Sequence, residues 1–404
     1  MGVILQLSLG TVYAWSFFQK PIVAAYGWSN MQAVWGLSLA ICFLGLSAAW
    51  GGMQLPRLGP RLLAVPGGLL YGTGYLVAAA ALAMKSIWLF YLGFGVLGGI
   101  GLGLGYVTPV ATAAKWFPDK KGLVTGMVVM GFGFGALLMS TVLGPLLMNF
   151  FHGDLVKVFA CIGVVILALA TSAALFLRNP PPGYSPQTAG SGVAACEPDD
   201  CSVRSCILSG AFARMWTLFF CNIAAGIIFI GFQSPMLQDL LKQVRPGMAT
   251  ADLAGAGALL IAATSLCNGI GRFLWGGVSD KVGRVQAFRM ILGSQVLVFA
   301  VLPFVSAPLV FAALVCYVLL CYGGGFGTMP SFVLDVFGAK RMPVVYGSML
   351  TAWSAAGIVG PQLAGYIKDR HADHAFAYTF AVGGVFLSVG LVVAFFTRNT
   401  RAAS

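Results

Sequence analysis

One arginine, Arg272, interrupts an apolar run within the stretch SLCNGIGRFLWGG, residues 265–277. Its guanidinium stays charged and offers a planar fork of donors that fits a carboxylate through two parallel hydrogen bonds. Ser265, Asn268, Arg272 and Trp275 follow at spacings of three and four, which puts them on one helix face. Asp280 marks the end of that helix, and eight residues at about 1.5 Å each set Arg272 about 12 Å further in. A bilayer's hydrocarbon core is about 30 Å thick, so the charge falls near its middle. Arginine there costs roughly 2.5–3.5 kcal/mol on insertion scales. The eleven acidic residues all fall in expected loops or close to the ends of apolar runs. None is placed to neutralise Arg272. Backbone carbonyls or snorkelling to water are two ways to satisfy it; the other is an incoming anion, which a polar helix face lining a cavity would receive.

The elements that must hold this charge are helices. Of 404 residues, 59% are hydrophobic and only 8% are charged, against roughly 25% charged in soluble domains. A water-soluble fold of this size could not hide so much apolar surface. Apolar runs long enough to cross a bilayer fall at 2–24, 31–51, 62–83, 87–112, 122–147, 156–177, 212–236, 250–277, 286–306, 308–331, 344–367 and 373–396. The expected fold class is an all-α membrane protein with twelve transmembrane helices in two pseudo-symmetric six-helix bundles.

The net charge of +12 does not point to nucleic acid, because the basic residues are dispersed among short loops. Assigning loops alternately to two sides puts fifteen Lys and Arg on one side and seven on the other. The positive-inside rule then predicts a multi-pass protein of the cell (inner or plasma) membrane with both termini cytoplasmic. Residues 178–211 are polar and rich in Pro, Gly and Ser, so they read as a cytoplasmic linker between halves 1–177 and 212–404. The halves echo one another: GGMQLPRLGPR (51–61) with GGVSDKVGR (276–284), and KWFPDKKGLVTG (115–126) with DVFGAKRMPVVYG (335–347).

These pieces resemble the major facilitator superfamily. GGVSDKVGR is similar to its G-x-x-x-D-x-x-G-R motif, with Asp280, Gly283 and Arg284 in place. The implied role is a latch in which a carboxylate and an arginine hold two bundles in one conformation. The counterpart at 51–61 has Leu55 or Pro56 where the acid would stand. YAWSFFQKPI (13–22) and KWFPDKKGLVTGMVVMGFGFG (115–135) narrow the resemblance to monocarboxylate transporters and oxalate–formate exchangers.

The resemblance implies that Arg272 binds a substrate carboxylate near the bilayer midplane. It also implies that Lys20 is an outer gate lysine, whereas the residue alone reads first as an interfacial snorkelling lysine. Tyr13, Tyr106, Tyr322 and Phe326 match aromatic site positions, with Ser354 and Gln233 as further candidates. Monocarboxylate transporters usually carry an aspartate where this chain has Asn268. Oxalate exchangers carry a lysine where it has Trp353. One fixed positive charge suits a monoanion, since a dianion would be half-neutralised in low dielectric.

The expectation is a secondary transporter of small monocarboxylates, lactate- or pyruvate-like, working by proton symport, with membrane lipid as its surroundings and functional as a monomer. The alternatives are an oxalate/formate-like exchanger and an anion-binding receptor. No enzyme, metal or cofactor is expected. No nucleophile–base pair is readable, His152, His371 and His374 fall in outer loops, and GGIGLGLG (98–105) lacks the strand a dinucleotide site needs. Cys196, Cys201 and Cys206 form a C-x4-C-x4-C run without a nearby histidine, a weak metal pattern read here as reduced thiols. Pro145 and Pro361 are expected to bend corresponding helices.

Overall fold

The computed structural model describes residues 1–117, 121–181, 202–338, 341–371 and 375–397. Cys196 and Cys201, most of the linker, and parts of the 115–126 and 335–347 motifs lie outside the described residues. We number the helices α1 (Gly2–Gly10), α2 (Trp15–Tyr26), α3 (Asn30–Ala83), α4 (Ile87–Trp116), α5 (Val124–Phe150), α6 (Leu155–Leu175), α7 (Gly210–Val244), α8 (Thr250–Val282), α9 (Arg284–Phe304), α10 (Pro308–Phe337), α11 (Met342–Arg370) and α12 (Ala375–Phe396). No strand occurs among the described residues. Ten of these helices, α3 to α12, are long and apolar enough to cross a membrane.

Among the described residues the expected segments fall almost wholly on helix, but the chain divides them differently. The first is interrupted by a tighter turn at Thr11–Ala14 that joins α1 to α2. The Thr11 hydroxyl donates to the Ser8 carbonyl at 2.8 Å and pairs with the Tyr71 hydroxyl at 2.9 Å, so a side chain competes locally with the backbone ladder. The second and third segments are the two legs of α3, which reverses at Gly59. There φ is 77° and ψ 168°, a conformation open to glycine only. Gly283, in the loop that echoes it, turns similarly at φ 93° and ψ 151°. A wider helical turn over Met139–Leu143 in α5 precedes Pro145, whereas α11 runs through Pro361 without interruption.

Within the first half α3 packs along α4 and α6; within the second α8 packs along α10, and α12 along α7 and α9. The halves meet where α3 touches α11, α5 touches α8, and α2 touches α7. Close approach of α8 to α10 depends on missing side chains. A Cβ on Gly323 would run into the Asn268 carbonyl oxygen, and one on Gly327 into that of Arg272. These glycines therefore set the position of the helix that carries Arg272.

Gly327→Ala is expected to destabilise the purified protein by about 1–3 kcal/mol, as overpacking does. Gly277→Ala, where a Cβ meets nothing within 4 Å, should stay within about 0.5 kcal/mol of the parent. Thermal unfolding in detergent measures both.

Candidate functional site

Arg272 is 0% exposed. Its Nε donates to Asn268 Oδ1 at 3.2 Å, one helical turn earlier. Its Nη1 donates to the Val129 carbonyl on α5, also at 3.2 Å, across the boundary between the halves. Nη2 is buried and has no hydrogen-bond partner among the described residues. No carboxylate pairs with this guanidinium among the described residues. Instead, the charge lies 4.8 Å from the ring centroid of Phe326 and 5.7 Å from that of Phe132. Such contacts stabilise a desolvated cation by about 2 kcal/mol, less than a counter-ion would.

Both halves contribute aromatic walls. Trp353 of α11 sits 4.6 Å from Phe326, 5.3 Å from Tyr106, 5.7 Å from Phe132 and 6.0 Å from Tyr13, centroid to centroid. Mostly edge-on packing fixes these rings. The hydroxyls of Tyr13, in the Thr11–Ala14 turn, and Tyr322, on α10, share a hydrogen bond of 2.6 Å that ties the halves together. The turn lies close to α5 because Gly10 has no side chain: a Cβ there would strike the Phe132 carbonyl oxygen.

Around the guanidinium stand other buried donors. The hydroxyls of Tyr106 and Tyr346 and the indole Nε1 of Trp353 make no well-formed hydrogen bond among the described residues, although Tyr106 lies against Arg272 and Tyr346, and Trp353 against Tyr322. Tyr106 and Tyr346 sit beside each other and within the field of Arg272, as do Tyr13 and Tyr322. Each buried polar group left unpaired costs about 1–3 kcal/mol. A cation and several such donors gathered among rings form an environment for acceptor oxygens joined to a small apolar body.

The residues expected from sequence separate into three groups. Arg272, Asn268, Tyr13, Tyr106, Tyr322 and Phe326 come together, with Asn268 orienting the guanidinium. Ser354 is buried nearby on α11, yet its hydroxyl donates 2.6 Å to the Cys42 carbonyl of α3 and is used in joining the halves. Gln233 is buried on α7. Lys20 belongs to a separate cluster, pairing with Asp239 of α7 at 2.8 Å.

Asp280 and Arg284 pair at 2.5 Å, and Arg284 Nε also reaches Asp335 of α10 at 2.9 Å. These three residues all belong to the second half, so their contacts brace its α8–α9 turn against α10. Three participants escaped the sequence reading. Phe132 and Tyr346 lie in runs of ordinary core composition, and Asp239 sits near a helix end. The available signal was the 115–135 stretch for Phe132 and the 335–347 motif for Tyr346; no motif marks Asp239.

The residues from 2 to 361 match the model of the Major Facilitator Superfamily, and the chain belongs to that family. It is a multi-pass membrane transporter. Among curated relatives, the apicoplast pyruvate carrier 1 of Toxoplasma gondii is 29% identical over 90% of this chain and 73% of its own. The oxalate:formate antiporter of Oxalobacter formigenes is 26% identical over 89% and 82%. Monocarboxylate transporter 13 of Rattus norvegicus is 25% identical over 95% and 84%. Among solved structures, a bacterial homologue of the human lysosomal transporter Spinster superposes with a TM-score of 0.68 at 17% identity, covering 98% of this chain and 95% of that one.

Removing one member of the Tyr13–Tyr322 pair strands the other. Tyr13→Phe should lower stability by about 1–3 kcal/mol. The double change Tyr13→Phe with Tyr322→Phe should cost less than the sum of the two single changes. A double-mutant cycle on melting temperature reads this directly.

Proposed function

We propose that this transporter carries small monocarboxylates of the lactate or pyruvate kind. The observation that carries the reading is the buried Arg272 guanidinium, which has no carboxylate partner among the described residues and keeps Nη2 unpartnered among aromatic walls. The substrate carboxylate takes the free edge of the fork. The Tyr106, Tyr346 and Trp353 donors then meet its oxygens, while the rings accept a short carbon tail. Asn268 orients the guanidinium, and Lys20 guides the anion at the outer mouth. The names of the relatives, a pyruvate carrier, a monocarboxylate transporter and an oxalate:formate antiporter, support an organic anion.

Transport proceeds by alternating access. The bundles 1–177 and 212–404 rock about the bound anion, with both termini in the cytoplasm. Neutralising Arg272 lowers the cost of closing the dry gates around it. The second reading is exchange of one anion for another. It is favoured by Asn268, an amide that carries no proton where monocarboxylate transporters have an acid.

Lactate, pyruvate and formate should each raise the melting temperature of the parent protein, and Arg272→Ala should abolish that response. Stabilisation that survives the substitution would move the site elsewhere. In proteoliposomes, an inward proton gradient should accelerate lactate uptake. A rate that ignores the gradient but rises with anion preloaded inside would establish exchange.

Asn268→Asp adds a pH test. The introduced carboxylate pairs with Arg272 when ionised and competes with the substrate, so binding should weaken as pH rises. Protonation at low pH frees the guanidinium and should restore affinity. The parent, with an amide there, should lack this added dependence.

A further inference from the structure

Away from Arg272, a second cluster of charges crosses the boundary between the halves. Asp239 of α7 lies between two lysines. Its Oδ1 accepts from Lys20 of α2 at 2.8 Å, and its Oδ2 from Lys368 of α11 at 2.7 Å. All three side chains are partly exposed. The cluster stands at the opposite end of the helices from the Gly59 and Gly283 turns, the outer face in the orientation proposed above.

Two features make this more than a surface ion pair. First, ownership of the carboxylate is unequal. Asp239 and Lys368 both belong to the second half and stay together if the halves part. Only the bond to Lys20 must break. Second, cavities flank the cluster. One of about 590 Å³ is bordered by Lys20, Lys242 and apolar residues of α5 and α8. The other, of about 420 Å³, is bordered by Asp239, Lys368 and residues of α3 and α12. Lys20 borders the first cavity and Asp239 the second, on different faces of α7, so their bond links the rims of the two. A second strap closes the same face: Asp369 accepts from the backbone amides of Asn30 and Met31 at 3.3 and 2.9 Å.

We infer that Asp239 is the positioning residue of the outer gate. Anchored by Lys368, it captures Lys20 of the opposite half whenever the outer face closes. A single partly exposed ion pair is weak, so it biases the populations of two nearly balanced conformations without freezing either. The carboxylate also occupies the ammonium that an approaching anion would otherwise meet. Release of Lys20 and exposure of an anion-attracting charge are thus one event. The inference holds for any cargo, so it does not rest on the substrate proposed above.

Hydrogen–deuterium exchange of the full chain in nanodiscs, with no anion added, tests it. Asp239→Asn should raise exchange several-fold in peptides from α2 and from the adjoining ends of α7 and α11. Peptides around Gly59 and Gly283 should exchange less, as the opposite face closes. Lys20→Gln, which removes the same bridge, should give the same pattern. Lys368→Gln, which leaves the bridge, should resemble the parent. The exchanged pair Lys20→Asp with Asp239→Lys, made together with Lys368→Gln so that no second ammonium opposes the introduced one, should return the parent pattern. Unchanged exchange in Asp239→Asn, an equal rise at both faces, or failure of the exchanged pair to restore the pattern would each overturn the proposal.

Discussion

A guanidinium held in the buried interior, without a carboxylate partner among the described residues, is the constraint around which this molecule is arranged. The protein satisfies part of the charge with weak acceptors, one side-chain amide and one backbone carbonyl, and with the faces of two phenylalanines. Each contributes less than a counter-ion would, and one guanidinium nitrogen stays unpartnered. A stronger internal partner would stabilise the fold but remove the anion affinity proposed for this site. The incomplete satisfaction of Arg272 therefore has a functional reading, in the sense that buried intramembrane charges carry function.

The same guanidinium contacts both halves of the chain. Its helix belongs to the second half, while the Val129 carbonyl and the Phe132 ring come from the first. The Tyr13–Tyr322 bond crosses the same boundary. In the proposed transport cycle a site assembled this way exists only while the halves are together, so its occupancy and their separation would be coupled. The glycines of α10 matter for the same reason. They let α8 approach until the Asn268 and Arg272 backbone lies against α10, which sets the depth of the charge.

Charges toward the helix ends do different work. Arg284 links Asp280 and Asp335 within one half, stiffening the turn at Gly283. Asp239 instead bridges the halves at the opposite face. The bridge proposed as the outer gate, Asp239 with Lys20, thus lies at the opposite face from the Asp280–Arg284 motif.

The amino-acid sequence by itself determined the helical class, the twelve apolar segments and the isolation of Arg272. Hydropathy, charge content and the spacing of acids are properties of the chain alone. It also placed Asn268 beside Arg272, because a spacing of four is one helical turn in any α-helix. The break at Thr11–Ala14 was not legible, since no proline marks it and its cause is a threonine that also meets Tyr71 of another helix. Phe132, Tyr346 and Asp239 were hidden for a related reason. As types in their own segments they are ordinary, and each acquires its role from partners far along the chain. Tertiary packing alone decided which aromatic rings surround the charge, that Ser354 and Lys20 are used in joining the halves, and that Asp239 serves both lysines. Pairings between distant helices depend on how glycine-lined faces fit together, and no local pattern encodes that fit.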